Sequence, residues 1–271
     1  MNNLIIVRGG GDLATGTIYK LYKCGFPVLI LEVPRPSAIR RNAAFSEAVY
    51  EGTQRVEDVT CYLADSLEAA RKLLAEGKLT LLADPKGEAI DRLKPLAVVD
   101  GILAKKNLGT NRAMAPITVA LGPGFEAGKD VDAVVETQRG HNLGRVLWQG
   151  RAAANTGIPG IIGGYGKERV IYSPAAGILH NVCRITDTVK KGQTIAFIES
   201  DGENIPVTAT LDGLLRGLLR DGYPVPEGFK IADIDPRVEE YENCFTISDK
   251  SRCIAGGVLE AILYRKGVLG L

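Results

Sequence analysis

Histidine, tryptophan and methionine are scarce in this chain of 271 residues, which has two, one and two of them, and aromatic residues make up only 6%. With His141 and His180 as the sole imidazoles, a structural zinc site lacks ligands. The five cysteines, Cys24, Cys61, Cys183, Cys244 and Cys253, are odd in number and form no C-x-x-C pair. They read as buried thiols rather than a disulfide framework. No apolar run approaches the ~18 residues of a spanning helix, and the first apolar run begins almost at Met1, so neither a membrane span nor a signal peptide is expected. Charge of one sign is not in excess either. Lys and Arg number 33 against 32 Asp and Glu, a formal net charge of +1, and the basic residues are scattered. Nucleic acid and membrane surfaces are therefore not expected partners, and the expected compartment is the cytoplasm.

What is present is an ordinary globular composition, 45% hydrophobic and 24% charged, with length enough for two domains. The most informative stretch is Gly9-Gly10-Gly11-Asp12-Leu13-Ala14, which follows the apolar run 4–7 and opens a helix-like stretch over 13–24. A second apolar run, 28–31, ends in Glu32. Strand, glycine turn, helix and strand-end acid in this order have the layout of a dinucleotide-binding βαβ unit. In that reading Gly9 permits the tight turn, Gly10 and Gly11 bring backbone close to phosphate, Ala14 lets helix and strand pack, and Glu32 meets a ribose. The same residues also suit a plain βα connection. Asp12 argues against a simple pyrophosphate site, because a carboxylate in the first helical turn repels a bound phosphate. Arg8, Arg35, Arg40 and Arg41 pull the other way and allow a ligand more negative than NAD.

Along residues 1–165, alternation of apolar runs and amphipathic stretches predicts a Rossmann-like, parallel sheet. Residues 36–50 read as helical, 59–63 as extended, and 65–76 as an amphipathic helix opened by Asp65-Ser66. Further strands are expected over 79–82, 97–99, 116–121 and 131–135. Their polar ends fall on one edge, where such sheets collect ligands.

Residues 166–271 have a different rhythm, with short extended runs, many glycines and one closing helix over 250–264 capped by Ser248. Setting residues 173–198 against 209–234 aligns Gly177 with Gly213, Val189 with Val225, Gly192 with Gly228, Ile195 with Ile231 and Ile198 with Ile234. These two copies resemble the halves of the biotinyl or lipoyl carrier fold, the barrel-sandwich hybrid. That resemblance implies a β-rich second domain. Its hairpin, residues 199–204, contains no carrier lysine, so a rigid platform or docking surface is the expected use. The expected architecture is thus α/β, a Rossmann-like domain over 1–165 and a barrel-sandwich-hybrid-like domain with a closing helix over 166–271.

The densest polar cluster, residues 136–144, follows the strand 131–135. Glu136, Arg139 and His141 place an acid, a cation and an imidazole within six residues at the expected ligand edge, a set able to hold an anion and exchange a proton. A hydrogen-bonded loop with a local ion pair uses the same residues. Gly122-Pro123-Gly124 gives a second turn that could aim Gly122 and Gly124 backbone at a ligand, or mark a plain loop. Asp233 and Asp235 permit a divalent cation, but a structural clamp on Arg237 is preferred.

Residues 8–16, 122–125, 136–144, 233–237 and 247–250 together resemble the YqeB-type accessory proteins of selenium-dependent molybdenum hydroxylases. The N-terminal part is also similar to the Rossmann domain of xanthine dehydrogenase accessory proteins. The resemblance implies a maturation factor that binds a nucleotide or the nucleotide-like molybdenum cofactor and works with the hydroxylase or its maturation proteins, with self-association allowed. Two further readings stand beside it: an NAD(P)-dependent oxidoreductase with His141 as proton donor, and a non-enzymatic adaptor docking the hydroxylase through its second domain.

Overall fold

Residues 3–157 and 160–271 are described in the computed structural model. In chain order the elements are β1 (Ile5–Arg8), α1 (Asp12–Lys23), β2 (Val28–Glu32), α2 (Ala48–Glu51), β3 (Thr53–Val56), β4 (Val59–Ala64), α3 (Leu67–Ala75), β5 (Leu79–Ala83), α4 (Glu88–Leu93), β6 (Ala97–Asp100), β7 (Ile117–Leu121), β8 (Glu126–Ala127), β9 (Ala133–Val135), β10 (Val146–Leu147) and β11 (Gly150–Arg151). Then come β12 (Val170–Tyr172), β13 (Gly177–Asn181), β14 (Thr188–Val189), β15 (Thr194–Ser200), β16 (Glu203–Thr208), β17 (Gly213–Leu218), β18 (Pro224–Val225), β19 (Lys230–Asp235) and α5 (Asp249–Leu269). The chain forms two compact units, one of Met1–Pro36, Ala44–Asn155 and Ile247–Leu271, the other of Ser37–Ala43 and Thr156–Thr246.

The first unit is built on one sheet of nine strands, in the order β10-β9-β7-β6-β1-β2-β5-β4-β3. Its middle strands are apolar on both faces. Ile5, Val7, Val28 and Ile30 join one buried cluster with Ile18, Leu21, Ile254 and Val258, while Leu4, Ile6, Leu29 and Leu31 join another with Ala70, Leu74 and Ile90. Helices α1 and α5 therefore cover one face, α3 and α4 the other, which explains the unbroken hydrophobic runs in the sequence. The amphipathic stretch around residue 70 is helical as its period requires, and Ser66 caps it by accepting from the Ala69 amide at 3.1 Å.

Two architectural expectations need correction. The sheet is mixed, not parallel. β3 pairs antiparallel with β4, because the two residues Glu57 and Asp58 that join them cannot make a parallel crossover, and β10 folds back antiparallel on β9. The second region is likewise two separate antiparallel sheets of four strands, β12-β19-β17-β14 and β16-β15-β13-β18, rather than the carrier-type domain expected; a two-stranded β8/β11 sheet belongs to the first unit. The C-terminal helix α5 also belongs to the first unit, so the chain is α/β with a mixed sheet, antiparallel sheets and a closing helix.

The internal repeat is nevertheless visible strand for strand. β13, β14 and β15 correspond to β17, β18 and β19, and each copy lends its short middle strand to the other: β14 pairs with β17 and β18 with β13. The aligned glycines have matching surroundings. A Cβ on Gly177 would overlap the backbone of Glu199, and one on Gly213 would overlap that of Asp235.

Residues 36–50 are not one helix. They hold two short 3-10 turns and the four-residue α2, because residues 37–43 run along β17 instead, with the Leu218 amide donating to the Ile39 carbonyl at 2.9 Å. The thiols also divide differently from expectation. Cys61, Cys183 and Cys244 are buried, but Cys24 and Cys253 are exposed.

Candidate functional site

Seven strands of the first unit, β1, β2, β4, β5, β6, β7 and β9, run parallel, so their carboxyl ends share one edge. The glycine turn lies there, directly after β1. Gly9 has φ of 90° and donates to the Leu31 carbonyl at 2.8 Å; a Cβ on it would come within 3.0 Å of the Gly101 backbone. Both requirements select glycine. Gly10 donates to Glu32 Oε1 at 2.8 Å, and Glu32 Oε2 accepts from the Val33 amide at 2.7 Å. Glu32 is thus a brace between turn and β2. Burial raises the pKa of its carboxyl, an effect opposed by these two hydrogen bonds.

Gly11 differs from its neighbours. It is the N-cap of α1 with φ of −64°, offers no side-chain cap, and has nothing within 4 Å of the position a Cβ would take. Open space therefore stands before the start of a twelve-residue helix, where backbone N–H groups and the dipole favour an anion. Ala14 is buried, and a Cβ added to Gly101 would approach its own Cβ to 2.9 Å, so its small size serves packing between α1 and the end of β6.

The nearby arginines have other uses. Arg8 is buried and donates to the Thr110 hydroxyl, which in turn donates to Asp100. Arg40 and Arg41 belong to the second unit, where Arg40 donates to the Asn243 carbonyl and Arg41 to that of Leu218. The second glycine turn is likewise accounted for by packing. A Cβ on Gly122 would overlap the Thr137 hydroxyl, and one on Gly124 would lie 2.7 Å from the Lys106 nitrogen.

The loop after β9 surrounds a cavity of roughly 240 Å³ lined by Glu136, Gln138, Arg139, Gly140, His141, Asn142 and Ala153. Glu136 is buried and organises it. Its Oε1 accepts from the amides of Thr137 and Gln138, both at 2.7 Å, and its Oε2 from that of Ala153 at 2.8 Å. Arg139 makes two hydrogen bonds to Asp249, the first residue of α5, at 2.7 and 3.1 Å. His141 is exposed and makes no side-chain hydrogen bond among the described residues. The cavity therefore presents an available imidazole beside an acid and a guanidinium that are already engaged.

The two predicted walls are connected by the first turns of α5, which sequence reasoning did not single out for chemistry. Ser251 donates to the Leu13 carbonyl at 2.8 Å and accepts from the Gly16 amide at 3.2 Å, which ties α5 to α1 just beyond the glycine turn. Arg139 holds Asp249 from the other side, and Cys253 donates to the Leu143 carbonyl at 3.2 Å. Between them Lys250 is half-buried. Burial and the Arg139 guanidinium lower its pKa, while Asp12, Glu136 and Asp249 raise it, so one ammonium senses both walls. A cue was present in the sequence: Ser248-Asp249-Lys250 begins a capped helix.

Elsewhere, Asp235 accepts from Arg216 at 3.0 Å and from Arg237 at 2.8 Å, and Asp233 pairs with Arg169 at 3.2 Å. This is the preferred structural clamp, and no group of three metal-ligating side chains occurs among the described residues. No described helix is long and apolar enough to cross a membrane.

Comparison with known proteins gives one strong likeness. The chain is similar to YqeB. It is 51% identical over 263 residues to this uncharacterized protein of Escherichia coli (strain K12), across 97% of the present chain and 48% of YqeB. The chain thus spans about half the length of the curated relative it matches. No family model matches. Among solved structures, an aspartoacylase family protein from Mesorhizobium loti aligns over 87% of this chain and 86% of its own, with 13% identity and a TM-score of 0.30. A succinylglutamate desuccinylase/aspartoacylase from Rhodobacter sphaeroides aligns over the same shares with 13% identity and a TM-score of 0.29, too loose a likeness to bear on chemistry.

Proposed function

We propose that this chain is an accessory protein in the maturation of selenium-dependent molybdenum hydroxylases, and that it binds an anionic nucleotide or the nucleotide-like molybdenum cofactor at the 9–11 turn. The maturation role rests on the YqeB-type resemblance of residues 8–16, 122–125, 136–144, 233–237 and 247–250; the 51% identity to the uncharacterized YqeB supports the resemblance itself. The ligand reading rests chiefly on one observation: the start of α1 faces open space at Gly11, with no side chain to cap it. A phosphoryl group fits there, where glycine lets it approach the backbone.

The test is native mass spectrometry on gently purified protein. Wild type should carry a phosphate-bearing small molecule, and Gly11→Asp, with a carboxylate in the phosphate position, should lose it. In cells lacking the native protein, wild type but not Gly11→Asp should restore hydroxylase activity. Retention of the ligand by Gly11→Asp, or full rescue by that variant, overturns the reading.

A further inference from the structure

We propose that the last turns of α5 dock a folded domain homologous to the half of YqeB that lies outside the shared region. The inference is independent of any ligand at the glycine turn and starts from the pattern along the helix. Earlier in α5, the line of Ile254, Val258 and Ile262 is buried in the core of the first unit, while exposed positions such as Arg252 and Glu260 are charged. That division is the one expected of a surface helix. The last turns abandon it. Leu263, Tyr264 and Val268 are 50%, 58% and 58% exposed, and Leu269, which continues the core-facing line, is still 42% exposed. Trp148 lies beside them, with its ring centroid 4.8 Å from that of Tyr264.

Tyr264 and Val268 are four residues apart and so share one face of the helix, with Leu263 at its side. A clustered apolar surface anchored by an aromatic pair has the make-up of a protein interface rather than of a solvated face. Trp148 and α5 both belong to the first unit, so the patch is complete within one compact body. Its occupant is indicated by length. The 263 residues shared at 51% identity make up 48% of YqeB, so in YqeB the same fold is tethered to a further region of comparable size. A tether raises the effective concentration of two domains to about the millimolar range, under which an interface of a few apolar side chains persists. Contacts between domains of one chain are commonly of this modest kind. The exposed end of α5 supplies such a surface, and the domain that YqeB carries on the same polypeptide is the partner it fits.

Carbene footprinting, which labels side chains of every type according to their exposure, tests this on two intact proteins, the present chain and full-length YqeB. With each normalised to the same protein unfolded in urea, labelling of the peptide spanning residues 259–271 should be about threefold or more lower in YqeB, because the core of an interface excludes water. Photo-cross-linking of YqeB from p-benzoylphenylalanine at the position aligned with Tyr264 should give adducts with its region outside the shared 263 residues. Sedimentation velocity should show the present chain as a monomer with the patch open. Equal labelling of the two proteins overturns the proposal, as do adducts confined to the shared region. A dimer of the present chain that dissociates on Tyr264→Lys assigns the patch to a second copy and overturns it as well.

Discussion

Gly16 of α1 lies so close to Ser251 of α5 that a Cβ on residue 16 would overlap the Ser251 hydroxyl, which already bonds the Gly16 amide and the Leu13 carbonyl. This contact sets the spacing of the two helices at the end where the glycine turn begins. Gly16→Ala gains helix propensity of about 1 kcal/mol but overpacks the contact. A net loss of about 1–2 kcal/mol is expected by urea denaturation. Gly11→Ala is the matched control, with a negative φ and open space, and should change stability by less than about 1 kcal/mol. Equal effects at the two glycines would refute the packing argument.

The first half of this site was legible because its signals are local. Gly9 follows a buried strand and needs a positive φ, Glu32 ends the next strand, and α1 begins where the apolar period changes. Strand ends at Asp100, Gly122 and Glu136 could be aligned for the same reason. The second half was not legible, because α5 is about 240 residues from the turn it supports and only tertiary packing brings Lys250 and Ser251 there. The mixed sheet was missed for a related reason. An edge strand such as β3, with Thr53 and Arg55 exposed, carries no sign of its direction, and only the short Glu57-Asp58 turn implied a hairpin. Conversely, the β repeat was visible, but not the exchange of β14 and β18 between its copies, since pairing partners leave no periodic trace.

The buried chain Arg8, Thr110 and Asp100 holds the loop after β6 against the glycine turn. Arg8→Met removes the cation and leaves Asp100 buried without it, with an expected loss of about 3–5 kcal/mol. Thr110→Val leaves both partners but removes the bridging hydroxyl, for about 1–3 kcal/mol. Chemical denaturation of the two variants and their double mutant should give strongly non-additive losses, because the residues share one network. Additive losses would show that Thr110 does not connect them.

Two carboxyls at the carboxyl edge of the parallel strands, Glu32 and Asp100, give the first unit a definite pH dependence. Burial raises the pKa of Glu32 and of Asp100 above their unfolded values. Below those unfolded values, about 4.3 for Glu and 3.9 for Asp, both groups are protonated in both states. As pH rises through the interval up to the raised values, the folded state holds more protons, so stability falls with pH; above it the burial penalty is fully present. Glu32→Gln should therefore flatten the decline in stability above pH ~4.3, while losing absolute stability because an amide cannot accept from both Gly10 and Val33. Urea midpoints measured across this range check the slope. A slope unchanged by Glu32→Gln assigns the pH dependence to other groups.

The Arg139–Asp249 pair closes the cavity loop onto α5, yet its side chains are 53% and 73% exposed. Solvent screening at such exposure limits its worth to at most about 1 kcal/mol, diminishing with added salt. Arg139→Gln should therefore barely move the denaturation midpoint. Its consequence should appear at Lys250 instead. The guanidinium lowers the pKa of Lys250, so its removal leaves that amine more basic, and acetylation of Lys250 at fixed pH should slow while exposed lysines do not change. Asp249→Asn acts in the opposite sense on the same amine, because it removes a carboxylate that raises the Lys250 pKa, and labelling should quicken. Opposite shifts from two variants of nearly wild-type stability place Lys250 in the field of this pair. Parallel shifts would mean that each variant has only disordered the loop.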